Sequence, residues 1–145
     1  MPRKRKRRFV FDTNVLISAA LTPEGEAWIA FEKANRTGYF LLSDETFAEL
    51  KDVLYRADFD EYLTNRIRRQ FIIKLLRKSA RVKVTEEITA CKDPDDDMFL
   101  ERAVSGKADC IVTRNIEDFP VDPFRGIPIL PPAQFVRARN GERNP

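Results

Sequence analysis

Phe9-Val10-Phe11-Asp12-Thr13-Asn14 places three apolar residues, an acid and two polar residues in succession. The apolar triplet predicts a short buried strand, and Val15-Leu16-Ile17 beyond it predicts an immediate turn into a helix. In open α/β sheets, ligands bind just outside the carboxyl ends of the strands. Asp12 stands at such an end and is therefore a candidate site residue. Taken alone it serves equally as a helix N-cap.

Working outward, the pattern predicts a helix from Asn14 to Ala20, a second from near Glu24 that Gly38 ends, and a strand over Tyr39 to Leu42. Ser43 caps a third helix, with Thr46 three positions on, so the capping box is expected to be incomplete. Phe47, Leu50 and Leu54 form its apolar stripe, with Glu49 beside Leu50. The longest amphipathic helix is expected from Glu61 to about Ser79. Leu63, Ile67, Phe71 and Leu75 make one row of it, and Arg66, Arg68, Arg69, Lys74, Arg77 and Lys78 occupy the rest. That charged surface is either a solvated face or a nucleic-acid or partner surface. Val82-Lys83-Val84 predicts a third strand. Asp93 to Asp97 opens a helix with Phe99, Leu100, Ala103 and Val104 on its core side, and Gly106 ends it. A fourth strand over Cys110 to Thr113, a short last strand over Ile127 to Leu130 and a final helix through Phe135 and Val136 complete the series. Strands alternating with helices imply a parallel sheet with helices on both faces.

The 145 residues suit one domain, with 43% hydrophobic and 34% charged residues as in a soluble globular protein. No apolar run is long enough to span a bilayer, so no membrane partner is expected and a cytoplasmic location follows by default. Cys91 and Cys110 lie far apart without a CxxC pattern, and Cys110 reads as a small buried hydrophobe. The chain has 0 histidines. That excludes Ser-His-Asp and Cys-His triads and any His-containing zinc site. Catalysis is left to carboxylates, Lys, Tyr or a metal held by oxygen. There is no Gly-rich nucleotide loop and no EF-hand continuation of the Asp run. Of 26 basic residues, six form Arg3-Lys4-Arg5-Lys6-Arg7-Arg8, leaving 20 against 23 acidic ones. Residues 1–8 are thus expected to be a basic, disordered arm, either merely solvated or in contact with nucleic-acid phosphates. The folded domain is expected over 9–138, with a disordered tail over 139–145.

Helices of right-handed βαβ units begin at the sheet's carboxyl edge. Asp12, Asp97 and Asp118 can therefore converge there, and Glu49 joins them if its helix packs against the first strand. Clustered carboxylates repel one another unless a cation neutralises them. With oxygen ligands alone the expected ion is Mg²⁺ or Mn²⁺. Such an ion supports metal-dependent phosphodiester hydrolysis, which needs no histidine.

Phe11-Asp12-Thr13-Asn14-Val15-Leu16, Leu42-Ser43 with Glu49-Leu50, Asp93-Pro94-Asp95-Asp96-Asp97-Met98-Phe99-Leu100, and Ile111-Val112-Thr113-Arg114-Asn115 with Asp118-Phe119-Pro120 carry a family resemblance. In this order and spacing they resemble the PIN-domain ribonucleases, most closely the PIN toxins of toxin–antitoxin pairs. The resemblance implies a three-layer α/β/α fold around a parallel sheet of four or five strands. It also implies an acidic pocket for one or two Mg²⁺ or Mn²⁺ ions, and single-stranded RNA as substrate. By position, Asp12, Glu49, Asp97 and Asp118 match the family's four acids, with Asn14 and Thr113 as supporting polar residues. Many members carry an acid where this chain has Asn115, which shifts weight to Asp118. Asp96 rivals Asp97, which is preferred for its spacing from Thr113. Arg114 and the arm residues Arg5, Lys6, Arg7 and Arg8 are candidates for holding RNA phosphates. A small cognate antitoxin and a homodimer are further implications. Two alternatives stand beside this reading: a non-catalytic nucleic-acid-binding module, and a DNA-directed nuclease of the same fold.

Overall fold

Alternation along β1 (Arg7–Phe11) sends Phe9 and Phe11 to one face of a sheet and Val10 to the other, because successive side chains of a strand point oppositely. The structure, a computed structural model, describes residues 6–138. The expected arm residues 1–5 and the expected tail 139–145 lie outside the described residues. Arg7 and Arg8, expected in the arm, instead begin β1: Arg7 pairs with Gly38, and the Arg8 backbone N–H donates to Asp109 Oδ2 at 2.7 Å.

The elements follow as α1 (Thr13–Leu21), α2 (Glu26–Thr37), β2 (Gly38–Leu42), α3 (Asp44–Leu54), α4 (Asn65–Arg77), β3 (Ser79–Arg81), α5 (Asp97–Ser105), β4 (Cys110–Val112), β5 (Ile129–Leu130) and α6 (Pro132–Arg137). One five-stranded sheet results, in the order β3-β2-β1-β4-β5, and every neighbouring pair is parallel. The face bearing Phe9, Phe11, Phe40 and Leu42 is covered by α1, α2, α3, α4 and α6. The face bearing Val10, Leu41, Ile111 and Ile129 is covered by α5 and by the segments around Ile88, Phe119 and Phe124. This is the expected three-layer α/β/α arrangement, with its layers unequal. On the thicker side, Phe31 stacks on Phe40 and Phe71 at centroid distances of 4.9 and 5.0 Å. Each such buried ring stabilises the fold by roughly 1.5–3 kcal/mol relative to exposure. Lys33 of α2 donates to the carbonyls of Phe135, Val136 and Ala138, which ties the end of α6 to that layer.

Several local expectations need correction. The third strand is Ser79–Arg81, not Val82 to Val84, because β2 ends at Leu42 opposite Arg81 and offers nothing further to pair. Only the Val82 N–H continues the ladder, to the Leu42 carbonyl at 2.8 Å. The long helix starts at Asn65 rather than Glu61, since Thr64 accepts the Ile67 N–H and caps it there. The Ser43 capping box is complete: Thr46 Oγ1 accepts the Ser43 N–H at 2.9 Å, and Ser43 Oγ accepts the Thr46 N–H at 3.2 Å. A threonine hydroxyl thus does what a longer Glu does elsewhere.

Arg68, expected on the charged surface, is only 2% exposed. Its Nε donates to the Leu54 carbonyl at 2.8 Å and its guanidinium pairs with Asp60 at 3.0 Å, closing the end of α3. Gly106 ends α5 for a packing reason, since a Cβ there would stand 2.7 Å from Leu41 Cδ1 and 2.9 Å from Val82 Cγ2.

Candidate active site

The strand order places a switch point between β1 and β4: the chain leaves β1 toward β2 and β3, then returns to β4 on its other side. Connections therefore diverge at the carboxyl ends of β1 and β4 and leave a crevice there. Asp12 follows β1 and Thr113 follows β4, one on each wall. Asp12 is buried and holds two bonds. Its Oδ1 accepts the Val15 N–H at 2.8 Å, capping α1, and its Oδ2 accepts the hydroxyl of Thr113. Thr113 Oγ1 in turn accepts the Asn115 backbone N–H at 3.1 Å. The helix cap and the candidate site residue are thus the same carboxylate, with one oxygen on Val15 and the other on Thr113.

Burial raises the Asp12 pKa, against the opposing pull of Thr113, the Val15 N–H, Arg102 and Arg114. Asp96, half-buried in the turn before α5, is pushed up to about 6, by burial first and then by the charges of Asp93, Asp118, Asp12 and Glu49. Asp12, Glu49, Asp96 and Asp118 therefore share one electrostatic field, although they come from four separate segments. Among the described residues, no three acidic or thiol side chains are grouped closely enough to hold a metal ion as they stand. The donor chemistry nonetheless fits a hard cation: only carboxylate oxygens, one of them pushed toward protonation by burial and then by its neighbours.

The two adjacent acids, Asp96 and Asp97, differ in their surroundings. Asp97 Oδ1 accepts the backbone N–H groups of Cys91 at 2.8 Å and Ala90 at 3.1 Å. Burial would raise its pKa, yet these bonds and the Cys91 thiol lower it overall. Asp97 pins the incoming loop, while Asp96 faces the other acids. The Cys91 thiol itself is pushed up to about 12, chiefly by burial and then by Asp97, and stays neutral.

The remaining candidates divide by position. Glu49 and Asp118 are half-buried and Asn14 is exposed on the first turn of α1. Arg114 is exposed; it donates to Ser18 Oγ at 3.0 Å and stands 4.0 Å from Glu26, on the α1 side of the crevice. Lys6, Arg7 and Arg8 lie at the amino end of β1, at the far edge of the sheet from Asp12. Arg5 lies outside the described residues.

Arg102 is the residue that sequence reading missed. It is 1% exposed, its guanidinium donates to the Phe11 carbonyl at 3.0 Å, and its Nε is without a hydrogen-bond partner. Burial pushes it down to about 9, against the charges of Asp12 and Glu49, so it remains a cation at neutral pH behind the acids. A signal existed: Arg102 lies three residues after Phe99, on that helix's apolar stripe.

The fold is a doubly wound α/β domain with acidic side chains gathered near its switch point. The family model described as "PIN domain" matches residues 8–117, and the chain belongs to the PIN domain family. Among solved structures it is similar to VapBC2 from Rickettsia felis, crystallised bound to a DNA fragment from their promoter. That likeness has a TM-score of 0.55 and 11% identity, covering 84% of this chain and 96% of the other, and it shows the shared fold. No curated protein sequence matches the chain.

Proposed function

We propose that this protein is an endoribonuclease that cleaves single-stranded RNA with Mg²⁺ or Mn²⁺, as the toxin of a toxin–antitoxin pair. The observation that carries the reading is the shared field of Asp12, Glu49, Asp96 and Asp118 at the switch-point crevice of a PIN domain. Asp12 and Asp96 would hold the ion, with Glu49 and Asp118 completing the set directly or through water. When bound, the ion supplies a more acidic water and offsets charge on the phosphodiester. Thr113 fixes the Asp12 carboxylate, and Asn14 and Asn115 support the same wall. Glu49 orients the attacking water, and Arg114 positions a phosphate at the rim. Asp97 enters as the residue that sets the loop before α5 and thereby aims Asp96.

The reading extends to an inhibitory antitoxin, a homodimer and a cytoplasmic setting. It is supported by the fold shared with VapBC2; among the described residues, no helix is long and apolar enough to cross a membrane.

The test offers single-stranded RNA, single-stranded DNA and a flap substrate side by side with Mn²⁺. RNA alone should be cut, and a chelator should stop it. Preferential cutting of DNA would replace the substrate, whereas no hydrolysis together with no stoichiometric Mn²⁺ uptake by calorimetry would sink the reading.

The raised Asp96 pKa gives a pH dependence of known sign. Its carboxyl holds a proton up to about pH 6, where an ordinary Asp with the value 3.8 is already charged. In the cation-free protein, this group's contribution to stability is therefore lost as pH rises from about 4 through about 6. Mn²⁺ binding must displace that proton, so affinity should fall steadily as pH drops below about 6. Calorimetric titrations at several pH values check this, and a flat affinity through that range would contradict the placement of Asp96.

A further inference from the structure

A second charged feature runs along the other flank of the sheet. A groove of about 420 Å³ beside β3 is lined by the cations Lys6, Arg8, Arg81 and Lys83 and by Tyr39, and no acidic side chain lines it. Its floor is apolar, from Leu41 and Val82. Two ammonium groups, of Lys6 and Lys78, lie 5.2 and 4.8 Å from the Tyr39 ring centroid, so the ring gathers cations from two segments far apart in sequence. Arg8 is held in place by its bond to the Gly106 carbonyl at 3.1 Å. Lys6 and Lys83 are exposed, and neither is paired with a carboxylate among the described residues. In sequence, Arg3, Lys4 and Arg5 directly precede Lys6.

Charges on an edge strand also discourage unwanted strand pairing. That role accounts for Arg81 and Lys83 on the β3 flank, but not for Lys6 and Arg8 at the amino end of β1 or for Lys78 from the end of α4. The groove's course is informative. It begins at Lys6, at the amino edge of the sheet. It reaches Arg81, which is level with Leu42 at the carboxyl end of β2 and pairs with Asp44 at 3.0 Å in the first turn of α3. Glu49 lies on that same helix. A basic track thus climbs roughly 20 Å of sheet, at about 3.3 Å per residue from Lys6 to the level of Asp12, and ends at the edge where the acids gather.

We propose that this groove binds the phosphate backbone of a single-stranded RNA whose scissile bond lies in the acidic pocket. Lysine ammoniums and a fixed guanidinium hold phosphates as charges and carry no base readout. The identity of the polymer rests on the RNA-cleaving reading above; the groove itself rests on charge and geometry.

The test uses the full chain in chelator, where no hydrolysis occurs, and measures anisotropy of a labelled single-stranded RNA across a salt series. The Lys6→Glu/Lys83→Glu variant should bind at least about tenfold more weakly. Its salt slope should be shallower by about 1.4, at about 0.7 for each lost contact. Lys6→Gln/Lys83→Gln, which keeps both side chains polar, should move the same way by less and stands in if charge reversal disturbs folding. Unchanged affinity and slope in both variants overturn the proposal. So does a pattern in which duplex DNA of equal length loses affinity and single-stranded RNA does not. A protein that cuts no RNA but loses RNA binding in these variants keeps the groove and loses the nuclease reading. Cleavage with unaltered binding does the reverse.

Discussion

Asp12→Asn should reduce RNA cleavage by about 10³-fold or more while leaving the protein folded. An ion held at this pocket is worth several kcal/mol of transition-state stabilisation, and about 4 kcal/mol corresponds to that factor. The fold survives for two local reasons. Asparagine is as good an N-cap as aspartate, so the Val15 N–H keeps its acceptor. Burial also disfavours the Asp12 charge on balance, so removing that charge relieves a cost. Thermal melting should show a Tm equal to or above that of the parent, beside an inert enzyme in a fluorogenic RNA assay. Full activity in this variant would remove Asp12 from the chemistry.

The second large effect separates two adjacent acids. Asp96→Ala should abolish cleavage with little change in stability, since Asp96 makes no side-chain capping bond to α5. Asp97→Ala should do the opposite in the first instance. It removes the acceptor of the Ala90 and Cys91 N–H groups, at a cost of about 1 kcal/mol for each bond, about 2 kcal/mol together. For a domain of this size that is a fall in Tm of roughly 5–10 °C. The sign with pH follows from its lowered pKa: Asp97 stabilises the fold above its unfolded value of 3.8, and that contribution disappears as pH falls through its lower folded value. The Tm gap between Asp97→Ala and parent should thus narrow in acid. Paired melts and activity assays on both variants decide which acid faces the ion.

The strand-acid-helix signature at Asp12 and the parallel sheet were legible in the sequence, because they depend on local pattern. What escaped depends on partners distant in sequence. Whether Ser79–Arg81 or the following valines pair with β2 is set by where β2 stops, at the Ser43 cap. Arg68 and Arg102 were hidden because charge suggests solvent, while their positions on apolar stripes place them inside, where carbonyls receive them. Asp96 and Asp97 are identical in type and adjacent. Only two backbone N–H groups arriving from residues 90 and 91 tell them apart.

The enclosed guanidinium of Arg102 bears on how such a protein comes into being in the cell. Domains that close around a structural metal stay unfolded until the ion arrives, because binding and folding are one event. Here a positive charge built into α5 already stands behind Asp12 and Glu49. The chain can therefore complete its architecture with no ion in place, because the charge that offsets these acids is its own.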